Sequence, residues 1–133
     1  MEHNGWIALH RKIIQNGIMS KPPLHLKLWI WMLCEARFSD SNGLKRGQLK
    51  TSIQEMRNAM TYKIGYIKMI PSIMQIRSVY GNLTKDKNIS VTKITGGLII
   101  TILNYSKYQD KIKQWITQQK NQRVTQRLTH LYI

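Results

Sequence analysis

The chain of 133 residues is long enough for one domain of ordinary size, and its 42% hydrophobic content can supply a single core. Its 21 Lys and Arg residues outnumber 6 Asp and Glu residues, and the resulting formal charge of +15 favours a polyanionic partner. The lone cysteine excludes an internal disulfide framework and no apolar run approaches the roughly 18 residues of a membrane span, so we expect a cytoplasmic protein with no membrane partner.

The first forty residues predict one central helix. Residues 5–19 have a mixed apolar pattern that leaves helix and short strand both open. Two prolines at 22 and 23 then begin a segment of about fourteen residues that is dense in Leu, Trp and Met, which is typical of Pro in a first helical turn. Its apolar side chains surround most of the helix, so we expect it to be covered on several sides, with Cys34 as a small core residue.

A short extended piece and a second helix follow. Residues 44–51 indicate the extended piece, and Ser52 with Glu55 predicts a capping box that begins a helix running to about residue 60. Residues 61–71 predict a connector, with Gly65 inside it and Pro71 at its end, which stops any continuous helix.

The third helix carries the clearest periodicity. Ser72 and Gln75 repeat the capping-box pattern, and we expect a helix from residue 73 to about residue 83. Apolar residues at i, i+3, i+4 and i+7 form one stripe, namely Ile76, Val79, Tyr80 and Leu83. The opposite face carries Met74, Gln75, Arg77, Ser78 and Asn82.

Residues 88–105 predict a β-hairpin. Two runs rich in Ile, Val and Thr flank Gly96 and Gly97, which suit a two-residue turn that needs positive φ. In that register Val91 faces Ile102, and one two-stranded ribbon results. Beyond residue 110 the chain has five basic residues, five Gln and no acidic residue, so we expect a polar tail that is partly disordered or forms a short helix.

The predicted order is helix, short strand, helix, helix, hairpin. That is the order of a winged helix-turn-helix domain, an α+β fold with three or four helices in which a small antiparallel hairpin forms the wing. We therefore expect residues 1–110 to form a winged-helix DNA-binding domain and residues 111–133 to form a basic, Gln-rich tail.

Five strings carry a family resemblance: "GWIALHRKI", "LKLWIWML", "KRGQLKTS", "PSIMQIRSVYGNLTK" and "ITGGLIITILNYSKYQ". In order and spacing they resemble the N-terminal winged-helix domain of phage replisome-organiser and DnaD-like replication initiation proteins of mobile elements, over about residues 5–109. "RGQ" with the following Thr-Ser, and "NYSKYQ" after the hairpin, are the more specific parts. The connector at residues 61–71 is longer than the tight turn of a standard helix-turn-helix.

The resemblance implies a protein that binds duplex origin DNA and helps to recruit replication proteins such as a helicase loader or a primase. It places the recognition helix at residues 72–85 and the wing at residues 89–103. The charge distribution agrees with a partner in this region, since residues 41–109 hold eleven basic and two acidic residues.

Candidate DNA contacts follow from side-chain chemistry. On a helix in the major groove, Gln75 can pair with adenine and Arg77 with guanine, while Ser72 and Ser78 suit phosphate or sugar contacts. Met74 and Asn82 share that face. Phosphate contacts are predicted for Lys45, Arg46, Lys85, Lys87 and Lys93. Gly96 and Gly97 at the wing tip can approach the minor groove closely, although a turn that needs positive φ also explains both.

The residues argue against an enzyme. The histidines lack metal-ligand spacing, the carboxylates are scattered, and no phosphate-binding loop is present, so we expect neither catalysis nor a cofactor. Two other functions stay open: a transcriptional repressor with the same fold, and a small replication adaptor that docks a protein partner through Trp115 and the tail. A homo-oligomer also stays open.

Overall fold

The computed structural model describes residues 5–15, 17–107, 109–110 and 117–121, and within them the chain has an α+β fold. Two short 3₁₀ helices, Arg11–Ile14 and Gly17–Ser20, come first. The remaining elements are α1 (Pro23–Glu35), β1 (Gln48–Thr51), α2 (Ile53–Ala59), β2 (Tyr62–Ile64), β3 (Ile67–Met69), α3 (Ile73–Lys85), β4 (Ile89–Ile94) and β5 (Gly97–Ile102). The predicted positions of α1, α2 and α3 are confirmed. Of the predicted tail, only residues 117–121 are described, and they are helical; the predicted docking residue Trp115 lies outside the described residues.

The capping signals begin the helices where the sequence places them. Ser72 caps α3 through both bonds of the capping box. At α2 the side chain of Ser52 accepts a hydrogen bond from the amide of Glu55 over 3.0 Å, which is the first of the two predicted bonds.

A three-stranded antiparallel sheet with the order β1-β5-β4 contains the predicted hairpin. We call residues 89–102 the long hairpin. The predicted ribbon lacked its third strand and was two residues out of register, since Val91 pairs with Ile100 and Ile94 with Gly97.

The reason for the register lies at the two glycines. Only Gly96 has a positive φ, of +83°, and it turns the chain together with Thr95. Gly97 is already a strand residue, and a Cβ there would lie 2.5 Å from the carbonyl oxygen of Thr51 in β1. Gly97 is thus required by the approach of a neighbouring strand, which a local pattern does not reveal.

The helices and the sheet enclose one core. Its fully buried side chains include Leu28 and Met32 from α1, Met56 from α2, Ile76 from α3 and Ile100 from β5. The stripe on α3 is confirmed, because Ile76, Val79 and Leu83 are buried and Tyr80 is half-buried. The prediction for Cys34 was wrong: its neighbour Leu33 faces the core, and Cys34 itself is exposed.

The predicted break between the second and third helices at residues 61–71 is confirmed, but the segment is more than a connector, because it forms a second hairpin. We call residues 62–69 the short hairpin; Tyr62 pairs with Met69, and Ile64 with Ile67. Gly65 occupies the first turn position with a φ of +60°, as a type II′ turn requires.

The two most specific strings of the resemblance contact each other. In "RGQ", Arg46 forms two hydrogen bonds to Asp110, at 3.1 and 2.8 Å, and lies over the rings of Phe38 and Tyr105. Gly47 has a φ of +83°, and a Cβ there would lie 2.9 Å from the Cβ of Tyr105 in "NYSKYQ". Burial raises the pKa of Tyr105. These strings therefore hold the end of β5 against the loop before β1.

Gln109, the last residue of "NYSKYQ", connects the two ends of the domain. Its buried side chain accepts a hydrogen bond from the amide of Ala8 over 2.8 Å and donates one to the carbonyl of Ala8 over 3.3 Å. Because buried amide groups are costly to leave unpaired, this pair fixes the amino-terminal segment against the residues after β5.

Candidate nucleic-acid interface

The outward face of α3 begins at its capping box. The hydroxyl of Ser72 accepts from the amide of Gln75 over 3.1 Å, and the Gln75 side-chain oxygen accepts from the amide of Ser72 over 2.8 Å. A bidentate pair with adenine needs that same oxygen to accept from the base. The predicted adenine contact of Gln75 would therefore require the side-chain oxygen to serve both partners or to leave the cap.

The side chain of Arg77, unlike that of Gln75, takes no part in the helix cap. It is exposed, and no hydrogen bond or ion pair joins it to another residue that the structure describes. Met74 and Ser78, three residues before it and one after, are also exposed, so the three side chains lie on one outward surface of the helix. This surface lies opposite the buried stripe and leaves the guanidinium free for a ligand.

Asn82 does not belong to this surface, although we predicted that it does. It is half-buried, and its side-chain nitrogen lies 3.0 Å from Nε2 of the buried His25 in α1. The amide donates and the imidazole nitrogen accepts, so Asn82 joins α3 to α1. The Asn82 side chain is therefore used for a contact within the fold, with a residue 57 positions away in the sequence.

The four candidate lysines lie on the surface of the protein. Lys45, Lys85, Lys87 and Lys93 are all exposed, and Lys85 and Lys87 flank the end of α3. The acidic residue between these two, Asp86, is paired with Lys21 at 2.7 Å. Lys85 and Lys87 themselves form no ion pair within the described part of the chain.

Two further candidates are placed otherwise than predicted. Arg46 is held by Asp110 and by two aromatic rings, so its guanidinium already serves the fold. Gly96 lies in the exposed turn of the long hairpin, whereas Gly97 is half-buried in β5. Of the two glycines, only Gly96 occupies the tip.

The short hairpin adds basic residues that we did not predict as DNA contacts from the sequence. Lys63 and Lys68 are directly opposite each other in the ladder, and both are exposed. Tyr66, in the turn, is fully exposed. The signal was present in the string "YKIGYIKM", which alternates polar and apolar residues on both sides of Gly-Tyr, but each strand has only three residues.

Positive charge is displayed widely over this part of the chain. Between residues 41 and 109, every basic residue except Arg46 and Arg57 is exposed. Arg57 donates to the carbonyl of Pro71 over 2.8 Å and to the side chain of Gln54 over 2.9 Å. The surface around α3, its flanking loops and both hairpins is therefore rich in exposed cationic side chains, which suits a polyanion.

Three further features concern metal ligands, the lone thiol and the length of the helices. Within them no three His, Cys, Asp or Glu side chains are grouped so as to hold a metal ion. The pKa of the Cys34 thiol is raised, first by partial burial and then by Glu35, which keeps the thiol protonated at neutral pH. None of the helices described is both long and apolar enough to cross a membrane.

Comparisons with known protein families, curated proteins and solved structures each found no match to this chain.

Proposed function

We propose that this protein is a winged-helix protein of the cytoplasm that binds duplex DNA, with α3 as the recognition helix and the long hairpin as the wing. The observation that carries the proposal is the outward face of α3, where Arg77 is exposed beside Met74 and Ser78 and has no partner among the described residues. A helix that is anchored by one face and presents a free arginine on the other is the form in which proteins read base edges in the major groove.

Charge supports the same proposal. The net +15 and the exposed lysines at the end of α3 and on β4 supply the phosphate contacts that position such a helix. The role in replication initiation of a mobile element comes from the resemblance of residues 5–109 alone. It extends the proposal to replication proteins, such as a helicase loader or a primase, as further partners.

The proposal predicts that Arg77 carries sequence preference. Fluorescence anisotropy with a duplex selected from a random pool, and with unselected duplexes, measures that preference across a range of salt concentrations. Arg77→Ala should weaken binding to the selected duplex by about 1–3 kcal/mol, because a bidentate arginine–guanine pair has that worth, and should change binding to unselected duplexes far less.

Arg11→Ala is the matched control, since it removes the same charge from an exposed position in the first 3₁₀ helix. It should leave the ratio between selected and unselected duplexes unchanged. Equal affinity of the wild-type chain for all duplexes, together with no effect of Arg77→Ala, would overturn the recognition-helix assignment. The genomic position of the selected site, at a repeated origin element or across a promoter, separates the initiator from the repressor.

A further inference from the structure

The short hairpin has two chemically different faces. Residues directly opposite in an antiparallel pair share a face, so Lys63 and Lys68 lie together on one side. The other side holds the pairs of Tyr62 with Met69 and of Ile64 with Ile67. All eight residues of the hairpin are exposed, and Tyr66 at its tip is fully so.

The fold does not account for this arrangement. Like charges directly opposite each other destabilise a ladder, and a two-stranded hairpin alone is marginally stable in water. Exposed apolar side chains on both strands gain nothing from the core. The hairpin therefore carries three features, a lysine pair, an apolar face and an aromatic tip, that cost stability or leave it unchanged until something covers them.

Contacts hold the ends of the hairpin and leave the tip projecting. Lys27 in α1 donates to the carbonyl of Met60 over 3.2 Å, and its ammonium group lies 5.3 Å from the centre of the Tyr62 ring. On the other side, Arg57 donates to the carbonyl of Pro71. The segment is thus fixed where it leaves α2 and where it enters α3.

Charge selects the class of partner. No carboxylate pairs with Lys63 or Lys68 among the residues that the structure describes. A second copy of the chain carries the same net +15, so self-association on this surface would bring like charges together. A polyanion removes the repulsion between the two lysines, and one with flat apolar groups also covers the apolar face.

The position of the short hairpin next to α3 then indicates which polyanion it binds. Met69 lies four residues before Ile73, the first residue of α3, and the exposed Ile70, Ile73 and Met74 continue the apolar surface from the hairpin to the recognition helix. DNA bound to α3 would therefore pass beside the short hairpin.

We infer that the short hairpin is a second DNA-binding arm that engages bases unstacked beside the α3 site. Lys63 and Lys68 hold phosphates, and the ring of Tyr66 stacks on an exposed base, with Ile64 and Ile67 against the neighbouring step. Aromatic rings bind unpaired bases by stacking without sequence preference, and apolar side chains inserted at a base step unstack it. This inference rests on the proposed function, since α3 brings the DNA to the hairpin.

The test uses the full chain and two forms of the selected duplex, one fully paired and one with a short mismatch bubble beside the site that contains 2-aminopurine. Tyr66→Ala should weaken binding to the bubble duplex by about 5- to 150-fold, the contribution of one base stacked on an aromatic ring. It should also abolish the change in 2-aminopurine fluorescence that we expect when the wild-type chain binds. The control Tyr66→Phe keeps the ring and should retain both.

The lysines are tested by the salt dependence of the same binding. The double variant Lys63→Gln with Lys68→Gln should reduce the slope of log affinity against log salt by about 1 to 2, because each phosphate contact contributes about 0.9 on duplex DNA and about 0.7 on a single strand. The double variant Lys63→Arg with Lys68→Arg keeps the charge and should keep the slope.

The outcomes separate the inference from the proposed function. If these variants bind both duplexes like wild type while Arg77→Ala still loses sequence preference, the arm is overturned and the recognition helix stands. If the wild-type chain binds no DNA, the proposed function fails and the inference fails with it. If the variants bind DNA like wild type but no longer self-associate as wild type does in analytical ultracentrifugation, the hairpin is a protein interface and the inference is also overturned.

The variants should keep the wild-type unfolding temperature, because every substituted side chain is exposed.

Discussion

The long hairpin and the short hairpin share antiparallel pairing and a turn glycine at positive φ, but they meet the rest of the protein differently. In the long hairpin, β5 pairs with β1 on one edge and β4 on the other, and Leu98, Ile100 and Ile102 are buried. Among the described residues no further strand pairs with the short hairpin, and none of its side chains is buried.

This difference shows that strand pairing alone does not decide what a hairpin contributes. The apolar residues of the long hairpin stabilise the fold because the helices cover them. Equally apolar residues of the short hairpin face water, so they form part of the surface and add nothing to the packing of the core. Substitution of the same residue type should therefore change the stability of the protein much more in the long hairpin than in the short hairpin.

The largest contrast is expected between Ile100→Ala and Ile67→Ala. Ile100 is fully buried, and its truncation should lower the free energy of unfolding by about 2–5 kcal/mol through lost burial and the cavity left behind. Ile67 is 66% exposed, and its truncation should change that free energy by less than about 0.5 kcal/mol. Urea unfolding followed by tryptophan fluorescence measures both, and similar losses would contradict the comparison.

A smaller contrast is expected at the glycines. Gly97→Ala places a Cβ against the carbonyl oxygen of Thr51, so the neighbouring strand must move, and we expect a loss of about 1–3 kcal/mol. At Gly65 an added Cβ would contact no other atom, so Gly65→Ala adds only the strain of positive φ, about 1 kcal/mol, within the turn. Amide hydrogen exchange should therefore show Gly97→Ala exposing all three strands of the sheet and Gly65→Ala affecting residues 62–69 alone.

The features that the sequence predicted well are those with a local cause. The capping box of Ser72 and the stripe at Ile76, Val79 and Leu83 depend on spacing within one helix, and both are confirmed. The misses depend on distant partners. In the long hairpin, Gly97 is required by the close approach of Thr51 in β1, and Asn82 contacts His25, 57 residues away.

The short hairpin was missed for a different reason. Its strands have three residues each, too few for alternation to stand out, and they bury nothing, so no periodic core pattern marks them. The candidate site shows the same division. The exposure of Arg77 was predictable from its place opposite the stripe, whereas the ion pair of Arg46 depends on Asp110, 64 residues away.

The smallest expected effect comes from pH and acts through His25, which accepts a hydrogen bond from Asn82. Burial lowers the pKa of His25 below its ordinary value of 6.5; a backbone interaction with Pro22 opposes this in part, and Lys21 adds to it. The unfolded chain therefore binds the proton first, so the stability present above the ordinary pKa is lost as the pH falls through the lowered one. Residues 62–69 contain no His, Asp, Glu or Cys. Acidification from about pH 7 to about pH 5 should thus lower the urea midpoint of wild type more than that of His25→Gln. The amide exchange rates of the short hairpin, after correction for their intrinsic pH dependence, should change little over the same range. Equal pH dependence of the two chains would show that His25 does not couple the stability of the core to pH.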